Sequence, residues 1–271
     1  VILDEGDHML DMGFREELEG ILDSLPNRSR TWLFSATMPE EVKALSRKYL
    51  AHPTFLSLVE EGEQHGDISH KAYLVPFRRK MEGLVNVLLW ERPKRGLIFC
   101  HTRLETMSVA GRLAEEGFNA GALHGEMTQR ERNAVLTSFK NGAIPLLVAT
   151  NVAARGLDVE GVSHVIQIGL PDDRDTFVHR SGRTGRAGHE GLNILLLSPQ
   201  EAGKFKYMFG SAKVDIEWNN VPDVQAINRA QRETAEEKLL TMKEAGENEE
   251  YLRWAEDLLT RAAPKDLVAR L

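Results

Sequence analysis

The sequence predicts an α/β fold in which a parallel sheet carries helices on both of its faces. Two observations predict it. Short apolar runs recur along the chain, and amphipathic stretches separate them. This alternation is typical of parallel α/β units, in which each strand is followed by a helix that packs back onto the sheet. Right-handed crossovers between successive strands would close such a sheet.

Residues 1–52 carry four predicted elements, two strands and two helices. The strands are the apolar runs Val1–Leu3 and Thr31–Phe34, and the helices are Arg15–Leu25 and Pro39–Leu50. Proline follows the first helix and opens the second, because it is tolerated in a first turn and excluded from a helix interior. Residues 53–66, in which proline and glycine recur, are predicted to be a linker.

Residues 67–198 are predicted to form a complete sheet with its helices. The predicted strands are His70–Val75, Gly96–Phe99, Ala120–Leu123, Ile144–Val148, His164–Ile168 and Leu192–Leu197. The predicted helices are Arg79–Trp90, Leu104–Glu116 and Gln129–Phe139. Two helix starts carry a threonine three residues before a glutamate, at Thr102 and Thr128, which is the capping-box signature.

Residues 199–271 are predicted to be a mainly helical extension. Its predicted helices are Pro222–Ala245, Glu249–Ala262 and Pro264–Leu271. Apolar side chains recur on one face of the second of these helices. That face therefore packs either against the rest of its own chain or against a partner.

Composition excludes several classes of protein. The net charge is −7, so the chain is not held on nucleic acid by bulk electrostatics, and a nucleic-acid site would be compact. No apolar run approaches the ~18 residues that span a bilayer, so we expect no membrane partner. The single cysteine, Cys100, excludes an intramolecular disulfide and fits a cytoplasmic location. The histidines show no zinc-ligand spacing.

Four polar or glycine-rich runs carry the chemistry of the chain. They are Asp4–Asp7, Ser35–Thr37, Ala149–Asp158 and His179–Arg186. In the last run, glycines leave the backbone thin and the arginine guanidinium groups free to pair with phosphate oxygens. Taken singly, the runs also have plain structural interpretations, namely an acidic turn, a helix cap and a basic turn.

In this order the four runs resemble motifs II, III, V and VI of the DEAD-box family of ATP-dependent RNA helicases. Leu97–Cys100 and His124–Arg132 resemble the segments between them. The resemblance implies a complete second RecA-like lobe at residues 67–198, preceded by the end of a first RecA-like lobe. It also implies ATP and Mg²⁺ as cofactors and RNA as a partner. The chain departs from the family at Gly6, which replaces the usual alanine, and at Asn151, which replaces an acid.

By this resemblance, Asp4 contacts Mg²⁺ and Glu5 activates the attacking water. Arg183 and Arg186 reach the γ-phosphate, where an arginine finger stabilises the charge of the transition state. The other implied cofactor-binding residues are Gly156, which lets the backbone approach, and Asp158, which contacts the ribose.

The resemblance further implies a set of residues that couple the nucleotide to closure of the two lobes. Ser35 and Thr37 would act through Asp7 and His179. Arg180 would pair with carboxylates of the first lobe. A helix-capping role for Thr37 is compatible with this coupling.

The positions that resemble the family's RNA contacts lie after three predicted strands. They are Thr102, Arg103, Gly125, Gln129, Arg132 and Thr150. Backbone N–H groups at helix starts, hydroxyl groups and arginine forks suit phosphate oxygens, which carry no base information. We therefore expect little sequence specificity. For Gln129 and Arg132, a solvated helix face is the alternative interpretation.

No Gly-x-x-x-x-Gly-Lys-Ser/Thr run occurs in the chain, although such a loop is what cradles the phosphates of a nucleotide. We therefore expect a fragment that begins at motif II and does not hydrolyse ATP by itself. The helical extension resembles the dimerisation segment of the bacterial DeaD-type subgroup, which implies a homodimer. Two other functions stay open, a non-catalytic RNA-binding or dimerisation module and a related motor that acts on DNA.

Overall fold

The computed structural model describes residues 1–11, 13–35, 37–57, 68–154, 157, 159–185, 190–210, 214–241 and 249–268. The chain divides into two compact units, Val1–Val221 and Pro222–Leu271.

A small parallel sheet with three helices forms the beginning of the first unit. Its strands are β1 (Ile2–Leu3) and β2 (Trp32–Leu33), and its helices are α1 (Gly6–Asp11), α2 (Arg15–Asp23) and α3 (Glu40–Tyr49). One apolar cluster joins them, made of Leu3, Leu10, Leu18, Leu22, Val42, Leu45 and Tyr49. Both predicted strands and both predicted helices are confirmed, and α1 is an additional helix that the sequence analysis missed.

A seven-stranded sheet forms the rest of the unit. Its strands are β3 (Ile68–Leu74), β4 (Gly96–Cys100), β5 (Ala120–Leu123), β6 (Leu146–Thr150), β7 (His164–Ile168), β8 (Gly191–Leu197) and β9 (Glu217–Asn220). The spatial order is β5–β6–β4–β7–β8–β3–β9, and every pair is parallel. The predicted parallel α/β sheet and its six predicted strands are confirmed.

Helices cover both faces of this sheet. They are α4 (Lys80–Glu91), α5 (Arg103–Glu115), α6 (Gln129–Lys140), α7 (Asn151–Ala154), α8 (Arg174–Ser181) and α9 (Pro199–Phe209). Neighbouring residues of β4 belong to different apolar clusters, because side chains alternate across a strand. Ile98 lies in the cluster that contains residues of α4 and α5, whereas Phe99 lies in the cluster that contains residues of α6 and α7.

Side-chain caps fix the starts of several helices. The predicted capping box at Thr128 is confirmed, since its side chain accepts from the Glu131 amide and Glu131 accepts from the Thr128 amide. Thr102 caps α5 as predicted, but the Glu105 carboxylate accepts from the His101 amide instead. Ser198 opens α9 with a second complete capping box, which the sequence analysis missed.

The sheet continues past Ser198, where we placed the end of the second lobe. Residues 199–221 supply α9 and β9, and β9 pairs with β3 at the edge of the sheet. The compact unit extends accordingly to Val221. β9 escaped prediction because its sequence, Glu-Trp-Asn-Asn, is short and polar, as suits an edge strand that one neighbour pairs.

The second unit is helical, as predicted. Its helices are α10 (Val224–Thr241), α11 (Glu249–Arg261) and α12 (Pro264–Val268). On α11, the side chains of Trp254 and Leu259 are exposed. Across the described parts of both units, no helix is both long and apolar enough to span a membrane.

Cys100 and several polar side chains lie inside the sheet layer. Cys100 is fully buried, as predicted for a strand residue, and burial raises the pKa of its thiol well above the usual range. His70 is also buried. Its Nδ1 atom lies 3.1 Å from Asn193 Nδ2, and its ring packs against Phe177.

The buried imidazole of His70 predicts a pH-dependent stability. Burial lowers the pKa of His70 from 6.5 to about 4. Between these values the unfolded chain binds more protons than the folded one, so the free energy of unfolding falls as the pH falls through this window. The full loss is on the order of 3 kcal/mol. His70→Gln keeps an acceptor for Asn193 and should remove this dependence.

The measurement is urea denaturation of the unmodified chain and of the His70→Gln variant across that pH window. The unfolding free energy of the unmodified chain minus that of the variant should be constant above pH 6.5. It should fall by on the order of 3 kcal/mol as the pH is lowered to about 4. A difference that does not change with pH would contradict the prediction.

Candidate functional site

A cavity of about 260 Å³ opens between the segment before α3 and the carboxyl edge of the large sheet. Open parallel sheets place their ligands at this edge. The lining residues are Thr37, Pro39, Glu41, Phe99, Asn151, Ala154, Asp173, Asp175, Thr176, His179, Arg180 and Arg183. The cavity therefore joins the run at Ser35–Thr37 to the run at His179–Arg186, which are far apart in sequence.

A hydrogen-bond hub ties α1 to the segment after β2. Asp7 is buried, and its Oδ2 atom accepts bonds from the Thr37 amide at 2.9 Å and from Thr37 Oγ1 at 2.8 Å. The Asp7 amide donates to Ser35 Oγ at 3.1 Å, and Ser35 Oγ donates to the Thr37 carbonyl at 2.6 Å. A buried carboxylate needs such donors to remain stable.

Gly6 permits the close approach of α1 to β2. A Cβ atom at this position would lie 2.6 Å from Leu33 Cδ1, and the Gly6 amide donates to the Phe34 carbonyl at 2.9 Å. The glycine that departs from the family pattern thus fits the local packing, and its replacement of alanine removes no ligand group.

His179, from the part of the unit that contains the large sheet, lies next to this hub. It lies on α8, which begins at the N-cap residue Asp173. Its Nε2 atom lies 3.8 Å from Asp7 Oδ2, a distance at which a protonated imidazole forms an ion pair. The structure therefore brings together the four predicted coupling residues Asp7, Ser35, Thr37 and His179.

The pairing of Arg180 with carboxylates of the first lobe, expected when the two lobes close, stays a prediction. The hydrogen bonds of Arg180 described here are made to the end of β6 and to β7. Arg180 Nε donates to Asn151 Oδ1 at 2.6 Å, and Nη1 donates to Gln167 Oε1 at 3.5 Å. The guanidinium also lies over the Phe99 ring, 5.4 Å from its centroid. Because burial limits its access to water, the pKa of Arg180 is lowered to about 10.

Arg183 lines the cavity, and its contact with the γ-phosphate stays a prediction. Its Nη1 atom donates to the Leu157 carbonyl at 3.2 Å. The turn that follows is held by Thr184 Oγ1, which donates to the Val162 carbonyl at 2.5 Å. A Cβ atom on Gly191 would lie 2.4 Å from the Gly185 amide, so only glycine lets β8 pass so close to this turn. Arg186, Gly156 and Asp158 lie outside the described residues.

Asp4 and Glu5 present exposed carboxylates just after β1. Asp4 Oδ1 accepts from the Glu5 amide at 3.0 Å, and Glu5 adopts the left-handed conformation with φ 53°. A non-glycine residue in this region is strained, and such strain is frequent at functional sites. No cluster of three or more histidine, cysteine or acidic residues that could hold a metal ion occurs among the described residues.

The predicted RNA contacts lie at one edge of the sheet. β6 pairs with both β4 and β5, so the carboxyl ends of these parallel strands meet. Thr102 caps α5, and the site where a Cβ atom would stand on Gly125 is open space. Thr150 Oγ1 accepts from the Ala153 amide at 3.4 Å. Arg103 forms an exposed ion pair with Glu126.

The two predicted contacts on α6 differ from each other. Gln129 is exposed, and its Nε2 atom donates to Asn133 Oδ1 at 2.9 Å. Arg132 is half-buried, and its Nη2 atom donates to the Ala153 carbonyl at 2.8 Å. A solvated helix face therefore does not describe Arg132, which braces the turn at α7.

The sequence analysis missed several side chains of the cavity. Glu41, Asp173 and Asp175 add carboxylates to its lining, and Gln167 supports Arg180 from β7. For Asp173 a signal existed, since an aspartate three residues before Thr176 suits a helix N-cap. Gln167 gave a weaker signal, as a polar residue inside an apolar strand.

Comparison with known proteins supports the assignment of motifs. Residues 1–45 match the profile described as DEAD/DEAH box helicase, and residues 79–188 match the profile described as helicase conserved C-terminal domain. The DEAD-box ATP-dependent RNA helicase CshA of Geobacillus kaustophilus is 36% identical over 269 residues, which are 99% of this chain and 58% of the relative. The chain spans about half the length of the curated relatives that it matches.

Solved structures agree with this comparison. Saccharomyces cerevisiae Dbp5 bound to RNA and ADP BeF3 is 26% identical with a TM-score of 0.72, over 86% of this chain and 62% of that one. The Escherichia coli DEAD-box protein SrmB, bound to regulator of ribonuclease activity A, is 31% identical with a TM-score of 0.50, over 59% of this chain and 92% of that one. Family profiles, sequence identity and fold lead to the same conclusion: this chain belongs to the DEAD-box helicase family.

Proposed function

We propose that the protein acts as an ATP-dependent RNA helicase that couples ATP hydrolysis to closure of two RecA-like lobes and to local unwinding or remodelling of RNA. One observation carries the proposal. The bonded pair Asp7–Thr37, next to the small sheet, lies close to His179 on α8, which packs with the large sheet. Both lie beside the cavity that Arg183 lines. Residues from both lobes thus share one site.

The acidic residues after β1 fit Mg²⁺. This ion is commonly held by one or two carboxylates together with phosphate oxygens and water, so it does not need an all-protein cage. We assign the Mg²⁺ contact to Asp4 and the orientation of the attacking water to Glu5. When bound, ATP with Mg²⁺ supplies the phosphoanhydride bond that the reaction breaks.

The arginines of the cavity wall would stabilise negative charge. The planar guanidinium fork of Arg183 matches phosphate oxygens. Arg186, Gly156 and Asp158 keep the phosphate, backbone and ribose roles that the family resemblance implies. Arg180 is assigned to shaping this wall, since it donates to Asn151 on α7 and to Gln167 on β7.

The hub would transmit closure between the lobes. Thr37 is fixed to Asp7 by two bonds, and Asp7 lies within ion-pair distance of His179. A relative movement of the two parts therefore changes the surroundings of a buried carboxylate. Such coupling is how nucleotide-driven closure is commonly linked to a second site.

RNA would lie along the edge formed by β4, β5 and β6. The hydroxyl of Thr102, the open backbone at Gly125 and the fork of Arg103 suit phosphate oxygens. Dbp5, which has the same fold, was solved with RNA bound. An acidic chain requires such a local site, since its net charge of −7 opposes bulk attraction to RNA.

The homodimer and the cytoplasmic location stay predictions. The exposed Trp254 and Leu259 side chains on α11 give an apolar surface that pairing of two copies would cover. Sedimentation of the chain, compared with that of a Trp254→Ala variant, would test the dimer.

Replacement of Arg183 by alanine should slow ATP hydrolysis by the whole gene product on the order of 10³-fold, the lower range for loss of an arginine finger. The measurement is RNA-stimulated phosphate release at saturating ATP. Arg112→Ala serves as the control, because Arg112 lies exposed on α5 and pairs with Glu115 and Glu116. An Arg183→Ala rate within twofold of the unmodified rate would contradict this role.

The unmodified protein in the same assay decides among the functions left open. RNA-selective stimulation supports the helicase, and equal stimulation by DNA indicates a DNA-acting motor. A folded protein that hydrolyses no ATP indicates a non-catalytic module.

Replacement of Thr37 by valine should uncouple unwinding from hydrolysis. The variant keeps the shape and the backbone bond of Thr37 but removes the Oγ1 bond to Asp7 Oδ2. Loss of a bond to a charged group corresponds to roughly tenfold in an equilibrium. We expect duplex unwinding to fall about tenfold more than hydrolysis. Thr234→Val on α10 is the control, and equal losses of both activities would exclude a coupling role.

Removal of the Glu126 charge should strengthen RNA binding. In the structure Glu126 pairs with Arg103 and so competes with phosphate for its guanidinium. An exposed pair contributes under 1 kcal/mol, so Glu126→Gln should raise the affinity for oligouridine only about threefold. Glu115→Gln makes the same charge change beside Arg112 and is the control. The dissociation constants are measured by fluorescence anisotropy. Equal gains in affinity for the two variants would show that the change in net charge, and not the release of Arg103, causes the effect.

A further inference from the structure

A chain of buried polar side chains crosses the sheet and ends at the cavity. His70 lies on β3, Asn193 on β8 and Gln167 on β7, and the chain continues to Arg180 on α8. His70 Nδ1 lies 3.1 Å from Asn193 Nδ2, and Gln167 Nε2 donates to Asn193 Oδ1 at 2.9 Å. Arg180 Nη1 donates to Gln167 Oε1 at 3.5 Å. All four residues are at most 8% exposed.

The chemistry of Arg180 fixes the direction of every bond in this chain. A guanidinium group only donates, so Gln167 must present its oxygen to Arg180. Its amide nitrogen then faces Asn193, which must present an oxygen in turn. The Asn193 nitrogen faces His70, so Nδ1 of His70 must accept and Nε2 must carry the proton. Each orientation follows from the one before it.

The guanidinium has neutral partners at every described hydrogen bond. Asn151 accepts from Nε, Gln167 accepts from Nη1, and the Phe99 ring lies below the group. Nη2 is buried without a hydrogen-bond partner, and Arg180 lines the cavity. Asn151 stands where the family has an acid. The cation of Arg180 is therefore held by the side-chain amide oxygens of Asn151 and Gln167.

We propose that the chain His70–Asn193–Gln167 sets the position of the Arg180 guanidinium in the cavity wall, which makes Gln167 and Asn193 positioning residues of the ATPase site. The proposal rests on the proposed function for its effect on hydrolysis, whereas its effect on the guanidinium can be measured without any activity. Nothing in it requires Gln167 or Asn193 to touch a ligand. They act by restricting the orientations of Arg180.

The first experiment is a double-mutant cycle on ATP hydrolysis by the whole gene product. Gln167→Met keeps the volume of the side chain and removes both bonds, and we expect kcat to fall about tenfold with KM for ATP unchanged. In an Arg180→Met background the same change should have no further effect. Thr106→Val, which removes one buried hydroxyl bond elsewhere in the lobe, is the matched control. If the fold-losses of kcat in Gln167→Met and Arg180→Met multiply in the double variant, the two residues act independently, and the proposal is overturned.

The second experiment uses the 271-residue chain and needs no activity. Hydrogen exchange at Arg180 Nε–H, followed by NMR, should be slow in the unmodified chain and at least about tenfold faster in Gln167→Met. Exchange should not change in Thr106→Val. Equal exchange in Gln167→Met and the unmodified chain would overturn the proposal.

Gln167→Glu gives a second test if the methionine variant fails to fold. A glutamate presents an oxygen to Asn193 as well as to Arg180, so the Asn193 amide must turn over. His70 must then donate from Nδ1, and the nitrogen shifts of its ring should report this change of tautomer. An unchanged His70 tautomer would show that the chain does not transmit orientation. Absence of ATP hydrolysis in the unmodified protein would reject the proposed function and leave both NMR tests decisive.

Discussion

Parallel pairing of the strands is the constraint on which the site depends. Because all seven strands of the large sheet run in one direction, their carboxyl ends meet at a single edge. The register aligns Ile98 of β4 with Val148 on one side and with Ile166 on the other. A slip of one residue in β4 would send Phe99 to the face that now holds Ile98. The cavity wall would lose the ring beneath Arg180.

Two buried charges stand in this site, and the chain stabilises them in different ways. Asp7 accepts bonds from the amide and hydroxyl of Thr37, which belong to its own part of the unit. Arg180 donates to amide oxygens of Asn151 on α7 and Gln167 on β7. Each of these buried charges is held by bonds from its own part of the unit, and the 3.8 Å approach of His179 Nε2 to Asp7 Oδ2 connects the two parts.

The helices and strands could be predicted because their buried faces repeat apolar residues at a regular spacing in the sequence. Apolar runs indicated β4 and most of β8, and capping residues indicated the starts of α5 and α6. β9 left no such mark, since its polar residues pair with the sheet only at an edge. The partner of Arg180 could not be inferred either, because it depends on which strands are neighbours. Gln167 and Asn151 become contacts of one arginine only when β7, α8 and the end of β6 are brought together.

The cavity holds carboxylates as well as arginines. Glu41, Asp173 and Asp175 share its lining with Arg180 and Arg183. A polyphosphate that enters exchanges partners with these groups, and the approach of its charge to three carboxylates is unfavourable at short range. A divalent cation carried with the phosphate would offset this repulsion. Under the proposed function, the composition of the wall would favour a nucleotide that arrives with its metal ion over a bare anion, and it would link the proposed roles of the arginines to those of the acidic residues after β1.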